Sequence, residues 1–223
     1  MATGNGCSYV DRRRSSKGPT LVLLVRHGRT ATTGSVLPGR APGLHLTPEG
    51  TDQARSVAQR ISPLHPSAVY ASPMERARET AAPIARAAGL RTRTAKGLIE
   101  CDFGDWTGGS LPALRRRREW ATVQRSPSVF RFPGGESFAE MSQRMWDQVL
   151  VLVERHRGET IVAVGHADPI KAAITMAIGS HLDELQRVVV SPCSVTALLF
   201  GDGTPIVLGV NNTGDDLTTL VPS

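Results

Sequence analysis

Residues 20–25 (TLVLLV) constrain the fold most. They form an unbroken apolar and partly β-branched run that leads straight into Arg26 and His27. A strand with one wet face alternates polar and apolar side chains. An unbroken run suits a strand covered on both faces, as in a parallel sheet held between two helix layers. The rest of the chain supplies those layers. Residues 47–61 carry Ala54, Val57, Ala58 and Ile61 at helical spacing. Ala68–Ala71 reads as a short second strand. Ser72, Pro73 and Glu75 then read as a capping box that starts a helix running to Ala88 and stopping at Gly89. Ser137 and Glu140 form another capping box. Behind it Phe138, Met141, Met145, Val149, Leu152 and Val153 share an inward face, and that helix ends near Gly158. Thr160–Gly165 is a further buried strand. Asp168 reads as the cap of a helix that opens at Pro169 and ends at Gly179. Residues 194–200 and 205–210 flank the turn GDGT and predict a terminal hairpin. Strands alternating with helices give an α/β fold: a single three-layer α/β/α domain, with a mainly parallel sheet and helices on both faces.

A chain of 223 residues fits one domain and can bury a full core unaided. The domain is expected over residues 19–213, between a disordered basic tail (1–18) and a C-terminal tail (214–223) whose polar character begins near residue 211. Arg12, Arg13 and Arg14 precede no apolar stretch long enough for an export signal. The longest apolar run is far short of the roughly 20 residues of a membrane span. Cys7, Cys101 and Cys193 are odd in number and widely spaced, which argues against a disulfide framework or a zinc site and fits a reducing cytoplasm. The net charge is +6, and only Lys17, Lys96 and Lys171 among the basic residues are lysines. At 4% aromatic residues, the chain lacks the stacking platforms of single-strand binders, so neither a nucleic acid nor a membrane is the expected partner. Arg115, Arg116, Arg117 and Arg118 read as a solvated face able to steer an anionic substrate. Monomer and homodimer are both compatible with the sequence.

Ligands of open α/β sheets bind at the carboxyl ends of the strands. Three segments fall there: Arg26-His27-Gly28-Arg29-Thr30, the stretch from Ser72 to Thr80 that contains Arg76, and Gly165-His166-Ala167. Loops after three strands thus bring together His27, His166, Arg26 and Arg76. The planar fork of arginine matches phosphate oxygens, and a histidine can act as a nucleophile. The cluster asks for a phosphoryl group. His45, His65, His156 and His181 have no such surroundings and read as surface or packing residues.

These segments resemble the signature blocks of the histidine phosphatase superfamily, in its phosphoglycerate-mutase-like branch. LVLLVRHGRT carries the RHG signature. LTPEGTDQA, ASPMERARET, LIECDFGDWTG, FPGGES and VGHADPI are similar to the other blocks, in order. The resemblance implies a phosphoglycerate-mutase-like α/β fold and a phosphomonoesterase that needs no metal or cofactor and acts on a small phosphorylated substrate. His27 would become a phosphohistidine. Arg26, Arg76 and His166 would bind the phosphoryl oxygens. Glu100 would be the proton donor and acceptor, on the pocket rim with a raised pKa. Thr33 and Ala167 occupy positions that meet the substrate. Arg29, Thr33 and the pair Ala167-Asp168 depart from the common pattern, which leaves the substrate open. A phosphomutase shares the same intermediate and remains the alternative. A phospho-ligand binding module without turnover is more distant, because all five active-site positions are filled.

Overall fold

The computed structural model describes residues 18–214 and 216–220. The strands are β1 (Thr20–Arg26), β2 (Val36–Leu37), β3 (Ala68–Ala71), β4 (Thr92–Thr94), β5 (Gly109–Ser110), β6 (Thr160–Gly165), β7 (Val195–Phe200) and β8 (Ile206–Asn212). The helices are α1 (Pro48–Ile61), α2 (Glu75–Ala87), α3 (Leu111–Leu114), α4 (Trp120–Arg125), α5 (Phe138–Arg155) and α6 (Ala167–Ala177). Six strands form one sheet in the order β4-β3-β6-β1-β7-β8, and β2 pairs with β5 in a small separate ribbon. β4, β3, β6 and β1 run parallel, while β7 and β8 close one edge antiparallel. The expected mainly parallel sheet and terminal hairpin are both present. No helix among the described residues is long and apolar enough to cross a membrane.

The unbroken run in β1 has a direct cause. Leu21, Leu23 and Val25 face α1 and α2, where they pack with Val57, Ile61, Ala81 and Ile84. Val22 and Leu24 face the other way, onto Met145, Val149 and Leu152 of α5 and Ile170 and Ile174 of α6. Successive residues on a strand point to opposite faces, so a central strand between two helix layers needs apolar residues at every position. A third core sits beside these two layers. Phe103, Trp106 and Phe130 pack edge to face on Phe132 there, and Phe138 and Met141 of α5 join them. This cluster anchors the segment between β4 and α5, which has little regular structure of its own.

One of the two expected capping boxes forms. The Ser137 hydroxyl accepts the Glu140 N–H at 3.1 Å, and the Glu140 carboxylate accepts the Ser137 N–H at 2.9 Å. The Ser72 box does not form. α2 starts at Glu75 behind Met74, with no side-chain cap; the Ser72 hydroxyl accepts the Met74 N–H at 3.4 Å and bonds His166 Nε2 at 2.7 Å instead. Nor does Asp168 cap α6. His166 holds that position, and Asp168 pairs with Lys171 at 3.3 Å one turn along. The polar segment expected as a tail from residue 211 is ordered in part: Asn211 and Asn212 belong to β8, and Leu217 is fully buried against the α1 and α2 core. The basic tail lies outside the described residues except for Gly18.

α1 meets the loop after β1 backbone to backbone. A Cβ on Gly50 would stand 2.1 Å from the Arg29 carbonyl oxygen, and one on Gly28 would stand 2.5 Å from the Gly50 oxygen. In an open helix, Gly→Ala stabilises by roughly 1 kcal/mol. At Gly50 the sign should reverse, because overpacking against immobile backbone costs about 1–3 kcal/mol. A lower urea midpoint for Gly50→Ala is the expected result, and a higher one would contradict this packing.

Candidate active site

Connections leave β1 and β6 in opposite directions. From β1 the chain crosses through α1 to β3, and from β6 it crosses through α6 to β7 on the other side. A crevice opens at such a switch point, at the carboxyl ends of the two strands. Register places the candidate residues there. Arg26 lies opposite Gly165, and the His27 N–H donates to the Gly165 carbonyl at 2.9 Å. Ser72, at the end of β3, donates its N–H to Val164 at 2.9 Å. His27 and His166 therefore meet with ring centroids 5.2 Å apart and planes inclined at 62°.

Both imidazoles are buried. Burial, with Arg76 and Arg26 nearby, lowers His27 to about 3, so the ring is neutral at physiological pH. Its Nδ1 lies 2.7 Å from the Gly28 carbonyl, which can only accept; the single ring proton is therefore on Nδ1, and Nε2 keeps its lone pair. Burial and the same neighbours hold His166 well below 6.5. The Ser72 hydroxyl accepts the Met74 N–H at 3.4 Å and lies 2.7 Å from His166 Nε2; with the hydroxyl as donor in that bond, the His166 proton stands on Nδ1. That Nδ1 is buried without a hydrogen-bond partner among the described residues.

The guanidiniums show the same pattern. Arg76 is fully buried and donates one Nη2 bond to Gly39 at 2.8 Å, while its Nε and Nη1 are buried and unpartnered. Arg26 donates Nη1 to Val190 at 2.6 Å, and its buried Nε has no partner. Burial lowers the pKa of both, and the Glu100 charge works against that shift. Buried donors in folded proteins are nearly always paired. These converge beside His27, where an anion with several oxygens would satisfy them.

Glu100 is buried in the wall rather than standing on the rim. Its Oε1 accepts the Cys101 N–H at 2.9 Å, and its Oε2 lies 3.9 Å from His166 Nδ1. A side-chain network holds its backbone in place. Arg40 and Arg144 both donate to the Glu100 carbonyl, at 2.9 and 3.4 Å, and both pair with Glu136. Burial, reinforced by Asp168, raises the Glu100 carboxyl to about 7. Arg26, His27, Thr33, Glu100 and Ala167 line one cavity of about 390 Å³. Thr33 Oγ1 accepts the Thr30 N–H at 2.9 Å, and Ala167 is the first residue of α6. Thr80, which the sequence did not single out, accepts the Gly28 N–H at 3.0 Å and steadies the loop of His27. No residue of the 115–118 arginine block lines the cavity, and Arg117 lies over the Trp106 ring. His156 is a packing residue between Tyr70 and Glu159, while His45 and His181 are exposed. Among the described residues no three His, Cys, Asp or Glu side chains gather as metal ligands.

Glu100 makes the stability of the fold pH-dependent. Its folded pKa lies above the ordinary 4.5, so its contribution is whole below that pH and is lost as the pH rises through about 7. The histidines act oppositely: lowered values mean stability present above 6.5 and lost on acidification. Comparing Glu100→Gln with the wild type isolates the carboxyl, since glutamine still accepts the Cys101 N–H. The Tm of the variant should gain on that of the wild type between pH 4.5 and about 8. A difference that stays constant or shrinks would contradict the raised carboxyl.

Comparison with known proteins agrees with this geometry. The model of the histidine phosphatase superfamily (branch 1) matches residues 22–213. An uncharacterized protein of Mycobacterium tuberculosis is 35% identical over 192 residues, covering 84% of this chain and 93% of that protein. Phosphoserine phosphatase 1 of Hydrogenobacter thermophilus is 28% identical over 200 residues, covering 86% and 92%. The structure of an Entamoeba histolytica phosphoserine phosphatase with 3-phosphoglyceric acid superposes with a TM-score of 0.80 at 27% identity, covering 89% of this chain and 100% of that one. The chain belongs to the histidine phosphatase superfamily, branch 1, as a phosphatase-type hydrolase.

Proposed function

We propose that the chain hydrolyses small phosphomonoesters in two steps through a phosphohistidine on His27. One observation carries the reading: unpartnered buried donors of Arg26, Arg76 and His166 surround an imidazole whose only proton is tied to Gly28. His27 Nε2 attacks phosphorus, and the bond to the leaving oxygen breaks. Glu100, protonated over much of the neutral range, gives that oxygen its proton and the alcohol departs. The Glu100 carboxylate then takes a proton from water, the water oxygen attacks phosphorus, and the P–N bond breaks to release phosphate. The two guanidiniums and the His166 Nδ1–H stabilise the charge that builds on the phosphoryl oxygens. The Thr33 hydroxyl and the Ala167 N–H at the start of α6 assist in binding those oxygens. A phosphomutase would pass the group to a second substrate hydroxyl instead, and release of inorganic phosphate distinguishes the two.

Rapid quenching after mixing with a ³²P-labelled phosphomonoester should trap one acid-labile, base-stable phosphoryl group per chain. His27→Ala should lose both label and turnover. His166→Ala should slow turnover by on the order of 10²- to 10³-fold, as removal of one charge-stabilising donor does. Glu100→Gln should be slowest on alkyl phosphates and least affected on 4-nitrophenyl phosphate, whose leaving group hardly needs a proton. Turnover without any label would replace the covalent route with direct attack by water.

A further inference from the structure

The cavity lining combines two unlike sets of residues. Arg26, His27 and Glu100 supply the chemistry. Val36, Leu37, Leu111, Val188 and Val190 supply apolar surface. Lys171, Asp168 and Gln186 lie on the same lining. The Lys171 ammonium lies 3.3 Å from Asp168 Oδ1 and donates to Gln186 Oε1 at 3.1 Å. Both members of the ion pair are mostly buried, with side chains 15% and 19% exposed, and both line the cavity. Among the described residues, Arg26 and Lys171 are the cations on the lining. With Arg26 committed to the phosphoryl group, Lys171 is the one other cation on the lining, and it is already paired with Asp168.

We propose that the site selects phosphomonoesters of uncharged, largely apolar alcohols, and that Asp168 sets this preference. The inference rests on the phosphatase reading above. A carboxylate or second phosphate on the leaving group would have to draw Lys171 away from Asp168 and then sit beside an unpaired carboxylate. Like charges forced together are strongly disfavoured, and specificity is often set by such repulsion. An alkyl or aryl group meets no such penalty and leaves water by packing on the valines and leucines. Asp168 is a specificity-determining residue in this account; its charge also helps keep the proton on Glu100, an effect shared by all the alkyl esters compared below.

The test compares kcat/KM for 2-phenylethyl phosphate with that for 3-phosphoglycerate and phosphoserine, in the wild type, Asp168→Asn and Asp168→Ser. The wild type should favour the apolar ester by at least about tenfold, and both variants should shrink that ratio by about tenfold as Lys171 becomes free to meet a carboxylate. Because the readout is a ratio, a reduced folded fraction does not move it. A wild type that prefers 3-phosphoglycerate, or a ratio unchanged in both variants, overturns the inference. If 4-nitrophenyl phosphate is still hydrolysed, the phosphatase reading survives that result. Absence of turnover on every ester overturns both.

Discussion

The parallel pairing of β1 with β6 is the constraint on which the site depends. It sets Arg26 opposite Gly165, ties the His27 backbone to the Gly165 carbonyl and so brings His27 beside His166. A shift of one residue would turn every side chain of β1 toward the opposite helix layer, spoiling the fit in both cores, and would carry Arg26 and His27 out of line with Gly165. The two cores that hold the register are thus also what aligns the two imidazoles. β3 extends the same logic: its pairing with β6 brings Ser72 to the strand end, where its hydroxyl bonds His166 Nε2 and holds the ring.

Burial does the electrostatic work. Removing two guanidiniums, two imidazoles and a carboxyl from water disfavours every charged form, and their shifts follow from that common cause. The histidines respond by staying neutral, which leaves one with a free lone pair and the other with a free N–H. Glu100 responds by keeping its proton near neutrality. The arginines stay charged, and several of their donors go unpaired. Such a cluster stores unfavourable energy in the free protein that a bound phosphoryl group relieves. The Arg40, Glu136 and Arg144 network carries no reacting atom. Its role is to hold the Glu100 backbone so that the carboxyl stays inside.

Much of the fold was legible in the sequence, because buried strands announce themselves by apolar runs. The candidate residues Arg26, His27 and His166 stand at the ends of such runs, and Arg76 stands in the first turn of the helix after one. What was not legible depends on partners distant in sequence. Ser72 has the neighbours of a helix cap, yet its hydroxyl is taken by a ring 94 residues away. Asp168 differs for a local reason: the helix opens two residues earlier than Pro169, so Asp168 lies inside its first turn and pairs with Lys171. β4 is a short edge strand of Thr, Arg and Thr with no apolar pattern to mark it. The aromatic core around Trp106 has no period at all, and Leu217 is one apolar residue in a polar stretch that nonetheless reaches the core.

The central claim is that the folded chain presents His27 as a neutral imidazole with its proton on Nδ1. Two-dimensional ¹H–¹⁵N NMR of histidine-labelled protein tests this directly, with His27→Ala to assign the ring. From about pH 5 to 8, Nδ1 should show a protonated, pyrrole-type shift and Nε2 a bare, pyridine-type shift, and neither should titrate, because a group held near 3 is already neutral there. A ring that titrates near 6.5, or one whose proton sits on Nε2, would contradict the account.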